Sequence, residues 1–358
     1  MRKFTRKTVF QTLVSLTLAV SLAACGGAGN TVSSTAPADS TSTDSTSAAA
    51  PAADAVVLRV NMSESADSNK SLAMEEVKAE IEKNTEGRVT VEIHNNGELG
   101  TFQDDIEAIS GGANIVSGTS PSAYSDYGSK DLTGLDLMMA LRSYDECDKL
   151  NQSDLFKELC KPLESTSNLK ILGVNWGNMP RCILSNKSIN SVADLNGKII
   201  RVPLAPYVSF FTRLGCTTQS MTLADTYTAL QQGTIDACEF GYDTLYNNSM
   251  YEVAKYCYVS EHTYAPSMWC MSAKLFDSLS AEDQQVVLDA FYNGGKSFEK
   301  MNQDNQAEYR QKMEEQGVTF VEPTAEDKST MEAAAEDSAN DFDLSDGLMD
   351  RIAEAVGR

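Results

Sequence analysis

The hydrophobic pattern begins at Val56-Val57-Leu58-Arg59-Val60, which predicts a strand. After a polar turn, Ala73, Val77 and Ile81 recur at helical spacing, and that pattern stops at Gly87. Val89, Val91 and Ile93 then alternate as a strand, Phe102 to Ile109 patterns as a helix, and Leu169 to Trp176 continues the series. Strand, helix, strand, helix is the signature of an α/β fold with a mainly parallel sheet. Ligands on such sheets sit beyond the carboxyl ends of the strands, so the turn residues Ser63, Phe102 and Thr119 are candidates for one wall of a cleft.

A second α/β run follows Trp176. Arg181 to Leu184, Lys198 to Val202 and Thr234 to Glu239 supply strands, with Val208 to Leu214 and Leu223 to Gln232 as helices. Two such runs in one chain predict two lobes. Ala281 to about Glu315 is strongly helical, with Val286, Val287, Ala290, Phe291 and Phe298 apolar, and a helix of that length spans both lobes. Beyond Glu322 the chain is acidic, with a helical stretch from Met331 to Ala339. Its end carries an apolar stripe at Leu344, Leu348, Ile352 and Val356, which predicts docking on a lobe.

One position in the second run carries chemistry. Arg201 lies among Ile199, Ile200, Val202 and Pro203, and a cation buried without a partner is costly. The partner is either an internal acid or the carboxylate of a bound molecule. Downstream, Thr222 and Asp225 have the spacing of a helix cap, and Gly233 ends that helix before Asp236. His262, one of only two histidines, reads as a structural hydrogen-bonding group near a crossing between the lobes.

The N-terminal residues pattern differently. Arg2, Lys3, Arg6 and Lys7 precede a short apolar run, Val9 to Val20, and Leu22-Ala23-Ala24-Cys25 closes it. The run is too short for a comfortable membrane span. The Leu-Ala-Ala-Cys ending resembles a bacterial lipobox, which implies a signal peptide at 1–24, cleavage before Cys25 and a lipid on its sulfur. Gly26 to Asp54 is mostly Ser, Thr, Ala, Gly and Asp without an aromatic residue. It therefore reads as a disordered tether with a root-mean-square span of about 30 Å.

Charge narrows the function. The formal net charge is −22, and removal of four basic and no acidic residues with the leader takes it to −26. That excludes a nucleic-acid partner, because nothing would neutralise phosphates along a duplex. It leaves attachment to a membrane to the N-terminal lipid alone. Seven cysteines remain besides Cys25, an odd number with no C-x-x-C pair, so at least one is free and reducing surroundings are expected. Gly294-Gly295-Lys296-Ser297 lacks the first glycine of a phosphate loop, and Gly118-Thr119-Ser120-Pro121-Ser122 lacks the last glycine of a nucleophile elbow. No catalytic residue, metal site or cofactor is expected.

Asn190 to Pro203, Thr222 to Asp236, Glu261-His262 and Leu279 to Val287 together resemble the substrate-binding proteins of tripartite ATP-independent periplasmic (TRAP) transporters, the DctP-like family. Fainter likeness runs from Leu58 to about Phe320. The resemblance implies a two-lobed periplasmic-binding-protein-like clamshell that closes on a small organic acid and delivers it to a TRAP permease driven by an ion gradient. It implies that Arg201 holds the ligand carboxylate, that Arg181 is the second arginine of the site, and that Leu223 and Phe240 face the ligand. Members that bind simple acids usually read Asp-Gly-x-Glu-Asn, whereas this chain reads Asp236-Ala237-Cys238-Glu239-Phe240. A ring there packs on a ligand body but cannot donate hydrogen bonds. The expected organisation is one lobe from 55–176 plus about 262–280. The other comprises 177–261 plus about 281–340 with the spanning helix, and 341–358 forms a tail. A receptor for an ATP-driven importer or a sensor kinase fits the same binding chemistry, and a surface enzyme is the remote alternative.

Overall fold

The computed structural model describes residues 55–358. The expected signal peptide, Cys25 and the expected tether lie outside the described residues. In chain order the strands are β1 (Val56–Asn61), β2 (Val89–His94), β3 (Ile115–Thr119), β4 (Leu169–Trp176), β5 (Cys182–Ser185), β6 (Ile199–Val202), β7 (Thr217–Ser220), β8 (Ala237–Phe240), β9 (Tyr256–Tyr258), β10 (Ser267–Ser272) and β11 (Thr319–Val321). They form two sheets, ordered β2-β1-β3-β10-β4 and β11-β9-β5-β8-β6-β7. The expected α/β architecture with two lobes is therefore present, one sheet to each lobe.

Pairing is mixed rather than mainly parallel. β10 runs antiparallel to β3 and β4, and β5 runs antiparallel to β8 and β9, while β1–β2, β1–β3, β6–β7, β6–β8 and β9–β11 are parallel. The reason lies in the two crossings. The chain leaves β4 at its carboxyl end and enters β5 within a few residues, and it returns from β9 to β10 without an intervening helix. A strand that receives so direct a connection starts where its neighbours end, as the pairs Cys182↔Phe240 and Met268↔Thr119 record.

Helices cover both faces of each sheet. In chain order they are α1 (Asn69–Asn84), α2 (Phe102–Ser110), α3 (Tyr144–Gln152), α4 (Asp154–Ser167), α5 (Ala205–Arg213), α6 (Leu223–Gln232), α7 (Tyr242–Asn247), α8 (Ala273–Ser278), α9 (Ala281–Glu315), α10 (Ala325–Ser338) and α11 (Leu348–Ala355). In the first lobe, Leu58, Val60 and Trp176 of the sheet pack with Val77 and Ile81 of α1 and with α9. Tyr124, Leu150, Phe156 and Leu163 fill the other face, joined by Leu348, Ile352 and Val356 of the tail. The tail's apolar stripe thus docks on the first lobe.

The long helix divides its allegiance. Val287, Ala290, Phe291 and Phe298 of α9 lie in the first lobe's core, whereas Met313 packs with Leu184, Cys257 and Phe320 of the second. The first half of this helix packs with the first lobe. The physical cause is close approach to α1 and β4. A Cβ on Gly294 would stand 2.3 Å from Val77 and 2.8 Å from Trp176, and one on Gly295 would stand 2.5 Å from Asn175. The Gly-Gly pair is a packing notch, and the Trp176 indole and the Asn175 amide donate to the carbonyls of Phe291 and Tyr292 beside it.

Candidate ligand-binding site

β6 is short and buried, and it carries Arg201 into the second lobe at 5% exposure. Nε of Arg201 donates to the Met221 carbonyl at 3.0 Å, just before the Thr222 cap that starts α6. Nη1 is buried without a hydrogen-bond partner, 3.6 Å from Oε1 of Glu239. Among the described residues Nη2 has no hydrogen-bond partner either, so neither terminal nitrogen of this guanidinium donates to a protein acceptor.

Arg181 is in a different position. It enters β5 opposite the end of β8, and its Nε and Nη2 donate to the two carboxylate oxygens of Glu239, with a further bond from Nη2 to the Glu239 carbonyl at 2.8 Å. Glu239 is completely buried. Arg181, expected as the second arginine of the site, has an internal carboxylate in its fork. A buried guanidinium needs such a partner, and the strand pair β5–β8 supplies one.

Phe240 lies against the same pair of arginines. Its ring packs against the two guanidiniums, with the Arg181 Cζ 5.0 Å and the Arg201 Cζ 4.6 Å from its centroid. Tyr207 faces Arg181 at 5.3 Å. An aromatic face attracts cations, so this ring, expected against a ligand body, is engaged by the protein's own charges.

His262 completes the cluster. Its Nδ1 is 2.8 Å from the Ser260 hydroxyl, its Nε2 is 3.4 Å from Glu239 Oε2, and the Phe210 ring stacks on it. Burial pushes the imidazole below its ordinary pKa despite the neighbouring Glu239. Burial acts to raise Glu239, but the charge of Arg181 and the hydrogen bonds around it hold the carboxyl below its usual range. For Arg181, the Glu239 charge outweighs burial and the net shift is upward; for Arg201, burial wins and Arg181 adds to the downward shift. A guanidinium so shifted remains protonated at neutral pH. Two guanidiniums, one carboxylate and a neutral imidazole make up the cluster, and Asp243, its carboxyl raised by burial, lies near enough to act on Arg181.

On the first lobe, Ser63 and Phe102 line a cavity of about 570 Å³ together with Asn61, Gln103, Asp105 and Ser117. Thr119 pairs with Met268 at the end of β3, beside Gly118 and outside that lining. Leu223 is exposed at the first turn of α6. Sequence reasoning missed Glu239, Tyr207, Asn61, Asp105 and Ser117. For Glu239 the available signal was an acid in the middle of a strand whose other residues are apolar. Among the described residues no group of three or more His, Cys, Asp or Glu side chains is placed to hold a metal, and no helix is long and apolar enough to cross a membrane.

The family model for bacterial extracellular solute-binding protein, family 7 (DctP), matches residues 60–343. The chain belongs to this family. It is 25% identical over 283 residues to the C4-dicarboxylate-binding periplasmic protein DctP of Rhodobacter capsulatus, covering 78% of this chain and 84% of that one. It is also similar to a TRAP periplasmic solute-binding protein of Ochrobacterium anthropi with bound L-fuconate, at 25% identity and a TM-score of 0.75, over 85% of this chain and 100% of that one. A third relative, from Desulfovibrio salexigens and in complex with diglycerolphosphate, gives 25% identity and a TM-score of 0.77 over 84% and 96% of the two chains. DctP-family proteins are extracytoplasmic receptors, not enzymes, that bind small anionic solutes and work with TRAP permeases. The two-lobed fold and the receptor function of this chain follow from that membership.

Proposed function

We propose that this receptor captures a small organic carboxylate between its lobes, with Arg201 as the anchor. The observation that carries the reading is a buried guanidinium whose two terminal nitrogens donate to no protein acceptor. A planar two-pronged donor suits a carboxylate, and closure of the cleft around it strengthens such charge-assisted bonds. Relatives with bound or named anions, among them L-fuconate and a C4-dicarboxylate, support the choice of charge. Ser63 and Phe102 form the facing wall, Thr119 and Leu223 border the opening, and Arg181 with Glu239 and Phe240 orient the anchor from behind.

The mature receptor is held at the membrane by lipid on Cys25, with Gly26 to Asp54 as the tether, and it presents the closed lobes to its permease. A Cys25→Ala variant in the native host is expected in the soluble extracytoplasmic fraction rather than with the membrane. Retention of that variant on the membrane refutes the anchor.

The anchor itself is tested by mass spectrometry of solute carried through purification, followed by calorimetric titration of Arg201→Ala with that solute. Loss of a buried hydrogen-bonded charge partner costs about 2–5 kcal/mol, so affinity should fall by roughly 30-fold or more. Unchanged affinity would overturn the assignment.

A further inference from the structure

The C-terminal tail returns from the second lobe to the first. α10 packs Met331, Ala334 and Ala335 into the second lobe's core, and the turn that follows it, Ala339–Asp341, is clamped to α5. There Asp341 accepts a two-pronged bond from Arg213, at 2.7 and 3.0 Å, and a third from the Ser209 hydroxyl at 2.5 Å. These donors lower its carboxyl to about 2. A two-pronged pair of this kind fixes orientation as a single surface contact does not.

The first lobe takes hold a few residues later. Lys130 meets Asp343 at 2.7 Å, and the Ser345 amide donates to Asp131 at 2.8 Å. Leu348, Ile352 and Val356 then enter the first lobe's core, where Leu348 fits so closely that a Cβ on Gly134 would stand 2.8 Å from it. Arg358 closes the end by pairing with Glu146 and donating to the Ala140 carbonyl. Between the Arg213 clamp and the Asp131 grip lie only Phe342, Asp343 and Leu344, a span of at most about 14 Å when fully extended. Beside this crossing, Arg142 of the first lobe pairs with Glu332 of α10 at 2.8 Å. The match to the family model stops at residue 343, so α11 lies beyond it.

The tail and α9 lie on opposite faces of the molecule. In the second lobe Leu184 and Cys257 pack with Met313 of α9, whereas their strand neighbours Ile183 and Tyr258 point the other way and pack with Met331 of α10. In the first lobe α9 covers the face of Leu58 and Trp176, and α11 covers the face of Leu150 and Leu163.

We propose that the tail is a strap that, with α9 on the opposite face, confines the lobes to bending about their two short connections and suppresses twisting and overextension. A tie on one face alone leaves the other face free to splay. A slack strap lowers the fraction of receptor poised to close, and the apparent affinity for any solute falls with that fraction. Which solute binds, and how Arg201 holds it, does not enter.

The test lengthens the strap without touching its grips, by a flexible Gly-Ser insert after Phe342. Spin labels are placed on Glu98→Cys and Thr228→Cys, one exposed site on each lobe, in the Cys25→Ala background. The other seven cysteines are buried. Pulsed electron–electron double resonance on the ligand-free protein then reads the distribution of distances between the lobes. With the insert, that distribution should broaden and extend to longer distances. Asp341→Ala, which frees the second-lobe end, should broaden it as well. A folded insert variant with the parent's distribution overturns the inference, whatever Asp341→Ala does, because the length of the crossing is then irrelevant. If thermal melting shows the insert variant unfolded, Asp341→Ala decides, and an unchanged distribution there overturns the inference. A tail that only adds stability would lower the melting midpoint and leave both distributions as they were.

Discussion

At the scale of single residues, the site is a matter of which charges already have partners. Glu239 lies between two guanidiniums and beside a neutral histidine, so it offsets part of the positive charge of both arginines. Removing the acid strands Arg181 as a buried cation. Glu239→Gln should therefore lower unfolding free energy by about 3–5 kcal/mol, as breaking a buried ion pair does, and urea unfolding of the unliganded protein measures it. Asp136 gives a second prediction. Burial pushes its carboxyl up to about 6, partly offset by hydrogen bonds from Ser122. Between the unfolded value near 3.8 and the folded value near 6, the native state binds more protons than the unfolded chain. This residue's contribution to stability therefore falls as pH rises through that window, by about 3 kcal/mol in all. Asp136→Asn should remove that decline, so that the difference in unfolding free energy between variant and wild type grows from pH 4 to pH 6 and then levels off. Of these residues Arg201 was singled out by the local sequence itself, because a cation among Ile and Val poses a problem visible in one dimension, whereas Arg181 and Phe240 were named through the family resemblance. Which acid or ligand answers it depends on strand pairing across β5, β8 and β6, and local sequence does not encode that pairing.

At the scale of elements, strong periodicity was the reliable guide. The long helix was read from Ala281 to about Glu315 and is found as Ala281–Glu315; the strand at Leu169 to Trp176 and the helix at Leu223 to Gln232 also coincide with β4 and α6. Elements with weak patterning escaped. β11 has three residues, and α3 buries only one face of a mostly polar helix. Strand direction was misjudged because the α/β pattern assumes a helix between successive strands, and the two crossings between lobes have none. The glycines of α9 illustrate a motif whose meaning is steric. Gly294→Ala would force its methyl into Val77 and Trp176 where the helix meets α1 and β4. Overpacking of this kind costs about 1–3 kcal/mol. Thermal unfolding should show a lower midpoint for Gly294→Ala, and little change for Gly317→Asn, whose open αL position tolerates asparagine.

At the scale of the whole molecule, the crossings and α9 give the receptor its working geometry. The strand ends that carry Arg181, Phe240, Thr119 and Ser63 belong to different sheets, joined by two short connections and by a helix packed on both cores. Such an arrangement lets the lobes rotate about the connections without breaking either core, which is the hinge closure a solute receptor needs. The cysteines fit that view of well-sealed cores: all seven in the described residues are free and buried. Burial raises most of their pKa values and keeps those thiols unreactive, as for Cys147 and Cys160. Reducing surroundings, which the count alone suggested, are not required to keep them free. The global charge is the remaining tension. A chain with a formal charge of −22 repels an anion, and on the reading of Arg201 as anchor the cluster around it supplies the local attraction. Salt screens the distant surface charges over about 10 Å at 0.1 M, while a partly buried cation within contact distance of the ligand is screened much less. Raising ionic strength should therefore speed association of the anionic solute, most strongly at the low-salt end, with a smaller effect on its dissociation. Stopped-flow association rates from about 10 mM to 300 mM salt decide the matter. A rate that falls as salt rises would mean that the positive cluster governs the approach as well as the bound state, and that the acidic surface is arranged to leave its field open.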